Sequence, residues 1–414
     1  MSGRSRAGLR PIAGVGIYFS SNGLVFAALL PWYPLMVERL GLSSWAFGLV
    51  VACFAFGAIA SSVMPSKLIA RFGANAVVVG GTILLGLAVA STAWSVNGWM
   101  MAACLFLVGF FDAIVDVAQN VVGIAVQERL SRVVLSSMHA LWSLGGLLSG
   151  ALATLAASAG MDMRLHLALV AVAAVLLVVV GRRLIADTAS SRPIRDSGGE
   201  SEAPQGLASD DDAGEAASGR ARSKRAILRL ALPLAIIAVC GTIVEDIANN
   251  WAALAAVQFA GVAVGIAGVA FSVVIGSQCL GRFSGDLLVQ RFGPSRIARL
   301  GGGLIALGGL GIVTAVEPIQ LLIGLAAVGY GSATLVPGAL GAAAHIPGAG
   351  PAGGVTLVNW IMRIGFLGTS PLVGVLATGA SLRWGLSLLI VVGAVTMIFA
   401  GRLGLSSGPK APDR

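Results

Sequence analysis

Apolar runs of about 20 residues or more alternate with short polar breaks along the chain, the pattern of a polypeptide that crosses a lipid bilayer repeatedly. Six such runs fall at 12–37, 44–65, 75–95, 99–126, 133–158 and 163–186. Six more fall at 227–258, 262–281, 295–315, 319–344, 353–378 and 382–403. Between the two sets, residues 187–225 break the pattern with Ser, Gly, Pro and eight acidic residues, including Asp210-Asp211-Asp212. That interval has too few apolar residues to form a core and predicts a disordered linker. The expected organisation is an all-α membrane protein: a six-helix bundle over 1–186, a cytoplasmic linker over 187–225 and a second six-helix bundle over 226–414.

The two halves share more than helix number. Leu68-Ile69-Ala70-Arg71-Phe72-Gly73 returns 220 residues later as Leu288-Val289-Gln290-Arg291-Phe292-Gly293, each copy on the polar break after the second span of its half. Internal duplication of a helical membrane unit marks transporters whose halves rock about a site between them.

Composition agrees: 57% of residues are apolar, 11% are charged and the mean hydropathy is +0.91. The net charge of +9 invites a nucleic-acid reading, which its distribution excludes. Of the 27 Lys and Arg, 23 fall on one predicted side, against Arg39, Arg164 and Arg383 on the other and Arg363 inside a span. The positive-inside rule then places both termini in the cytoplasm of a multi-pass protein of the cell membrane. The basic stretch Arg220–Arg225 is expected to lie against anionic head groups. Cys53, Cys104, Cys240 and Cys279 all sit within spans, at spacings that fit neither disulfides nor a zinc site. No nucleophile elbow, His-Glu-x-x-His motif or phosphate-binding loop is present, so neither a catalytic site, a bound metal or cofactor, nor ATP hydrolysis is expected.

Polar groups at lipid depth are costly and need a reason. Asp112, Asp116 and Asn120, spaced i, i+4, i+8, share one face of the fourth helix. Asp112 lies about 13 residues in, or ~20 Å at 1.5 Å per residue, near the midplane. His139 and Trp142 on the fifth helix are expected at the depth of Asn120 and Asp116, giving either a proton relay or a polar network joining the two helices. In the second half Glu245 and Asp246 lie near Asn249, Asn250 and Trp251. Arg363, counted as the one basic side chain within a span, needs a carboxylate partner, with Glu245 the first choice and Asp246 the second. Four buried acids against one base leave an excess of negative charge that proton binding would relieve. Asn22, Trp32, Gln278, Tyr330, Asn359 and Trp360 offer hydrogen bonds and flat faces to a polar solute.

Two six-span halves, a cytoplasmic connector and the repeated loop resemble the major facilitator superfamily over nearly the whole chain. Its loop motif reads Gly-x-x-x-Asp-Arg-x-Gly, and the second copy, from Gly285-Asp286 to Arg291-Phe292-Gly293, keeps more of it. In the first copy, which retains Arg71 and Gly73, Ser66 and Ala70 stand at the Gly and Asp positions. The resemblance implies a cytoplasmic latch of Arg282, Asp286 and Arg291, and a cavity lined by helices 1, 4, 7 and 10. That points to Asn22, Asp112, Asp116, Glu245, Asn249 and Tyr330. A closer likeness, to the MosC-like branch, rests on Asp112 to Asn120, Ser137 to Gly146, Glu245 to Trp251, Gly329-Tyr330-Gly331 with Pro337, and Gly368 to Leu372. Asn250 departs from it, standing where that branch has Asp. The branch is associated with small polar compounds, rhizopine-like inositol derivatives among them. The implied function is a monomeric, proton-coupled secondary transporter of a small polar solute. Alternatives are a drug or metabolite exporter of the same superfamily and, from another class, a membrane-embedded sensor or enzyme.

Overall fold

The computed structural model describes residues 2–130, 135–186, 210–347, 350–379 and 381–404, and all secondary structure among them is helical. The first half contains α1 (Leu9–Leu40), α2 (Ser44–Ala60, continued by Met64–Phe72 after a 53° bend), α3 (Ala74–Thr92), α4 (Gly98–Leu130), α5 (Ser137–Ser158) and α6 (Met163–Ile185). The second contains α7 (Ile227–Ala260), α8 (Val264–Gly285), α9 (Pro294–Val313), α10 (Pro318–Ala343), α11 (Leu357–Gly379) and α12 (Leu382–Gly404). These match the twelve expected spans; eleven meet the criterion of length and apolarity outright, and bent α2 is the twelfth.

Helix pairing repeats. In the first half α1 packs on α5 and α6, α2 on α4, and α3 on α4 and α6; adding six to each number gives the pairs of the second half. The halves meet most extensively in two places related the same way, α2 on α11 and α5 on α8. Small residues allow this close packing in lipid, where apolar burial supplies little drive between helices.

The duplicated motif folds alike in both copies. Gly73 (φ 79°, ψ 148°) and Gly293 (φ 84°, ψ 153°) each end one helix and start the next, in a region open to glycine and strained for other residues. Each glycine N–H bonds back to the carbonyl four residues earlier, Ile69 or Val289, at 2.8 Å. Arg71 lies over the Phe72 ring at 5.2 Å and Arg291 over Phe292 at 5.4 Å. The motif is therefore a helix end and a glycine turn, with little of the expected polar loop. The copies differ upstream: α2 breaks over Ser61–Val63, whereas the helix containing α8 runs unbroken from Val269 to Phe292.

The linker expectation divides. Residues 187–209 lie outside the described residues, while 210–225 are not an irregular tether but the first turns of the helix Asp210–Ala260 that becomes α7. At the opposite end of the bundle, Arg39 closes the end of α3 by donating to the Ala93 and Ser95 carbonyls at 3.2 and 3.1 Å. Arg383 does the same for α9 through the Val313 and Ala315 carbonyls. Cations suit helix C-termini, where carbonyls lack partners.

Candidate functional site

The α2–α11 contact passes from seal to cavity. Near its far end from the termini, the Trp45 N–H donates to Thr378 Oγ1 at 3.0 Å. One turn further along, Gly48 lies against the Ser370 carbonyl and Gly374, a closeness that any Cβ at 48 would prevent. Beyond this seal the helices line a cavity of about 300 Å³. Ala55, Ala58 and Ile59 of α2 and Asp116 of α4 supply the first-half wall. Thr242 of α7 and Asn359, Met362, Arg363 and Phe366 of α11 supply the other.

Asp116 accepts on Oδ1 from Gln119 Nε2 and Asn120 Nδ2, both at 3.2 Å. Arg363 lies across the cavity from it, and His139 on α5 is near enough to interact with it. His139 also meets the Phe19 ring edge-on at 5.2 Å. Asp116 and Asn120 thus share a face as their spacing predicts, with His139 beside them on α5, whereas Trp142, expected at the same depth, does not join them. Asp112 belongs to a separate network: Asn22 Nδ2 donates to Asp112 Oδ1 at 2.9 Å, and Trp142 Nε1 donates to Asn22 Oδ1 at 2.7 Å. That chain ties α4, α1 and α5 together outside the larger cavity.

The expected Arg363–Glu245 pair does not form. Glu245 Oε1 instead takes Arg282 Nη2 at 2.9 Å, an ion pair, and Gln278 Nε2 at the same distance. Arg282 Nη1 also donates across to Ser143 Oγ of α5 at 2.7 Å. The reason is position: Arg282, assigned from sequence to a cytoplasmic loop, lies well inside the helix Val269–Phe292 and reaches α7. Two bases, not one, therefore face the four acids. The proposed latch loses Arg282 to this pair, and the Asp286 side chain lies outside the described ones. Gly285 faces the Thr334 methyl group. Trp142, Glu245, Asn249, Gln278 and Arg282 border a second, smaller cavity of about 50 Å³ where α5 meets α7 and α8.

Asp246 does not pair with Arg363 either. It accepts from Asn250 Nδ2 at 2.8 Å and from Ser370 Oγ, which in turn accepts from Trp251 Nε1 at 3.1 Å. Trp251, fully buried, packs edge-on against Phe47 of α2 with centroids 5.2 Å apart, directly beside Gly48. This network braces the seal. Tyr330 hydrogen-bonds Ser284 of α8 at 2.8 Å and borders neither cavity. Trp32 donates to His166 Nδ1 at 3.1 Å, and Trp360 is half-exposed. Sequence reasoning missed Ser143, Thr242 and Ser370 as participants. Ser143 and Ser370 lie within the strings that resemble the MosC-like branch, but a hydroxyl inside an apolar helix also arises where it bonds its own backbone.

Residues 15–318 match the model of the Major Facilitator Superfamily. The chain belongs to that superfamily and is a multi-pass membrane transporter. It is 24% identical over 326 residues to an uncharacterised MFS-type transporter of Yersinia pestis, covering 77% of this chain and 76% of that one. An uncharacterised transporter of Sinorhizobium fredii is 25% identical over 378 residues, covering 91% and 93%. Among solved structures, a peptide transporter in complex with sulfate superposes with a TM-score of 0.70 at 14% identity, covering 96% of this chain and 95% of that one. A bacterial homologue of the lysosomal transporter Spinster, described as inward-facing and unoccupied, gives 0.69 at 13% identity, covering 98% and 99%. The nucleoside transporter NupG gives 0.62 at 13% identity, covering 98% and 100%. At such identities these structures establish the shared fold.

Proposed function

We propose that the protein is a monomeric, proton-coupled secondary transporter that carries a small polar solute across the cytoplasmic membrane by alternating access. The observation that supports this most is the cavity between the halves, with Asp116 on one wall and Arg363 on the other. With the termini in the cytoplasm, as the distribution of Lys and Arg indicates, the α2–α11 seal lies at the outer side of the membrane. Rocking of one half on the other would break that seal and expose the same cavity outward. Asp116 is the coupling residue in this reading: a carboxylate in the cavity, beside His139, meets water from alternate sides as the halves move. Export of an apolar cation fits less well, because Arg363 brings a positive charge into the same space.

The test uses full-length protein in proteoliposomes, screened with polar metabolites under an imposed pH gradient. Wild type should accumulate its solute. Asp116→Asn should lose pH-driven accumulation while retaining part of its solute exchange. Equal accumulation by both proteins would remove Asp116 from the coupling role.

A further inference from the structure

Resting on the transporter reading above, we propose that the solute is a zwitterion with an apolar body: a carboxylate-type anion received by Arg363 and an ammonium-type cation received by Asp116. Three observations carry the assignment. Among the described residues Arg363 makes no hydrogen bond or ion pair, although it borders the cavity and is a guanidinium at membrane depth. Its planar fork of N–H donors matches a carboxylate.

Asp116 is complementary to it. Both side-chain bonds from Gln119 and Asn120 fall on Oδ1, so Oδ2 has no hydrogen bond among the described residues and is open to a donor from the solute. Glu245 and Arg282 show what opposite charges do in this protein when nothing needs to come between them: they touch, at 2.9 Å. Asp116 and Arg363 are held apart on walls that belong to different halves.

The remaining lining selects the rest of the molecule. Of the neutral groups bordering the cavity only Thr242 and Asn359 are polar, whereas Ile59, Met362 and Phe366 are apolar and large. A polyol would bring more hydroxyls than this wall can satisfy, and each unpaired one would be penalised. About 300 Å³ holds roughly ten waters at ~30 Å³ each, the lower end of small-molecule sites. A single amino acid with an apolar side chain has that size and that distribution of charge. Bridging both walls, it would also favour the state in which they approach, so occupancy and movement of the halves are linked.

The experiment measures thermal unfolding of the purified full-length protein in lipid nanodiscs with a matched series of probes. The series contains the twenty standard L-amino acids, their amides lacking the carboxylate, the corresponding acids lacking the amine, and myo-inositol and glucose. At least one amino acid with an apolar side chain should raise the midpoint, and its amide and its deaminated acid should not. Its Kd should weaken by about tenfold or more in Arg363→Gln and in Asp116→Asn, with part of the affinity kept in Arg363→Lys. Should either neutral variant prove unstable without ligand, the analogue series on wild type decides by itself. The proposal is overturned if no amino acid stabilises the protein, or if a polyol or a singly charged analogue binds as tightly as the zwitterion. Unchanged affinity in folded variants overturns it equally. Counterflow in proteoliposomes separates the two levels. A bound zwitterion that is never exchanged defeats the transporter reading and leaves the ligand class, whereas counterflow of a neutral solute does the reverse.

Discussion

The two most extensive contacts between the halves are related by the duplication, yet they treat charge in opposite ways. Where α5 meets α8, Arg282 bonds both Glu245 and Ser143, and only about 50 Å³ of space is left beside them. Where α2 meets α11, Asp116 and Arg363 stand on facing walls of a cavity of about 300 Å³. Pseudo-symmetry of the helices therefore does not extend to the charged side chains at these two contacts. Contact between opposite charges fixes packing, and their separation across a cavity leaves both available to a third party.

The largest expected effect comes from breaking the contact. Arg282→Ala leaves the Glu245 carboxylate uncompensated and should cost about 2 kcal/mol, below the full penalty for a buried pair because both side chains keep some solvent contact. Adding Glu245→Ala should recover much of the loss, whereas Arg363→Ala combined with Glu245→Ala should be additive within about 0.5 kcal/mol. Unfolding of the three single and two double variants against wild type checks this. Coupling between 363 and 245, with none between 282 and 245, would reverse the assignment of partners.

A smaller effect should follow from prying the other contact apart at its sealed end. Gly48→Leu places a side chain against the Ser370 carbonyl and should shift the population toward the open seal. In a background without native cysteines, Thr378→Cys should then react about tenfold faster with a membrane-impermeant thiol reagent, the equivalent of a ~1.4 kcal/mol bias. An unchanged labelling rate would show that the seal tolerates bulk at this position. The smallest effect is reserved for the connector. Removing residues 196–208 should alter transport by no more than about twofold, since loop-closure entropy changes slowly with length. Loss of transport in protein that reaches the membrane normally would make that segment a working part of the carrier.

Much of this architecture was legible in the sequence because each span satisfies one local demand, a run of apolar residues long enough to cross lipid. The grouping of Asp116 with Asn120 was legible for a related reason, since helical spacing fixes which residues share a face, whereas His139 was placed beside them by depth alone. Partners between distant helices were not. Glu245 and Arg282 are 37 positions apart, and Asp246 and Ser370 are 124 apart, so their meeting depends on the rotation of each helix about its axis. Arg282 was misread for a further physical reason: a charged residue near the edge of an apolar run looks like a loop, although its long side chain can turn inward to a carboxylate. The open position of Arg363 was equally hidden, because a sequence records charges and not the space between them.

The twin glycine turns at 73 and 293 have a consequence for how such a protein can arise. A unit of six spans begins and ends on one face of the bilayer, so a tandem copy enters in the same sense as the original without inverting. Both turns therefore face the same leaflet, each with its Arg laid over the neighbouring Phe ring. Each half therefore presents the same capped turn to one side of the bilayer, and a substitution that strains Gly73 has its counterpart at Gly293.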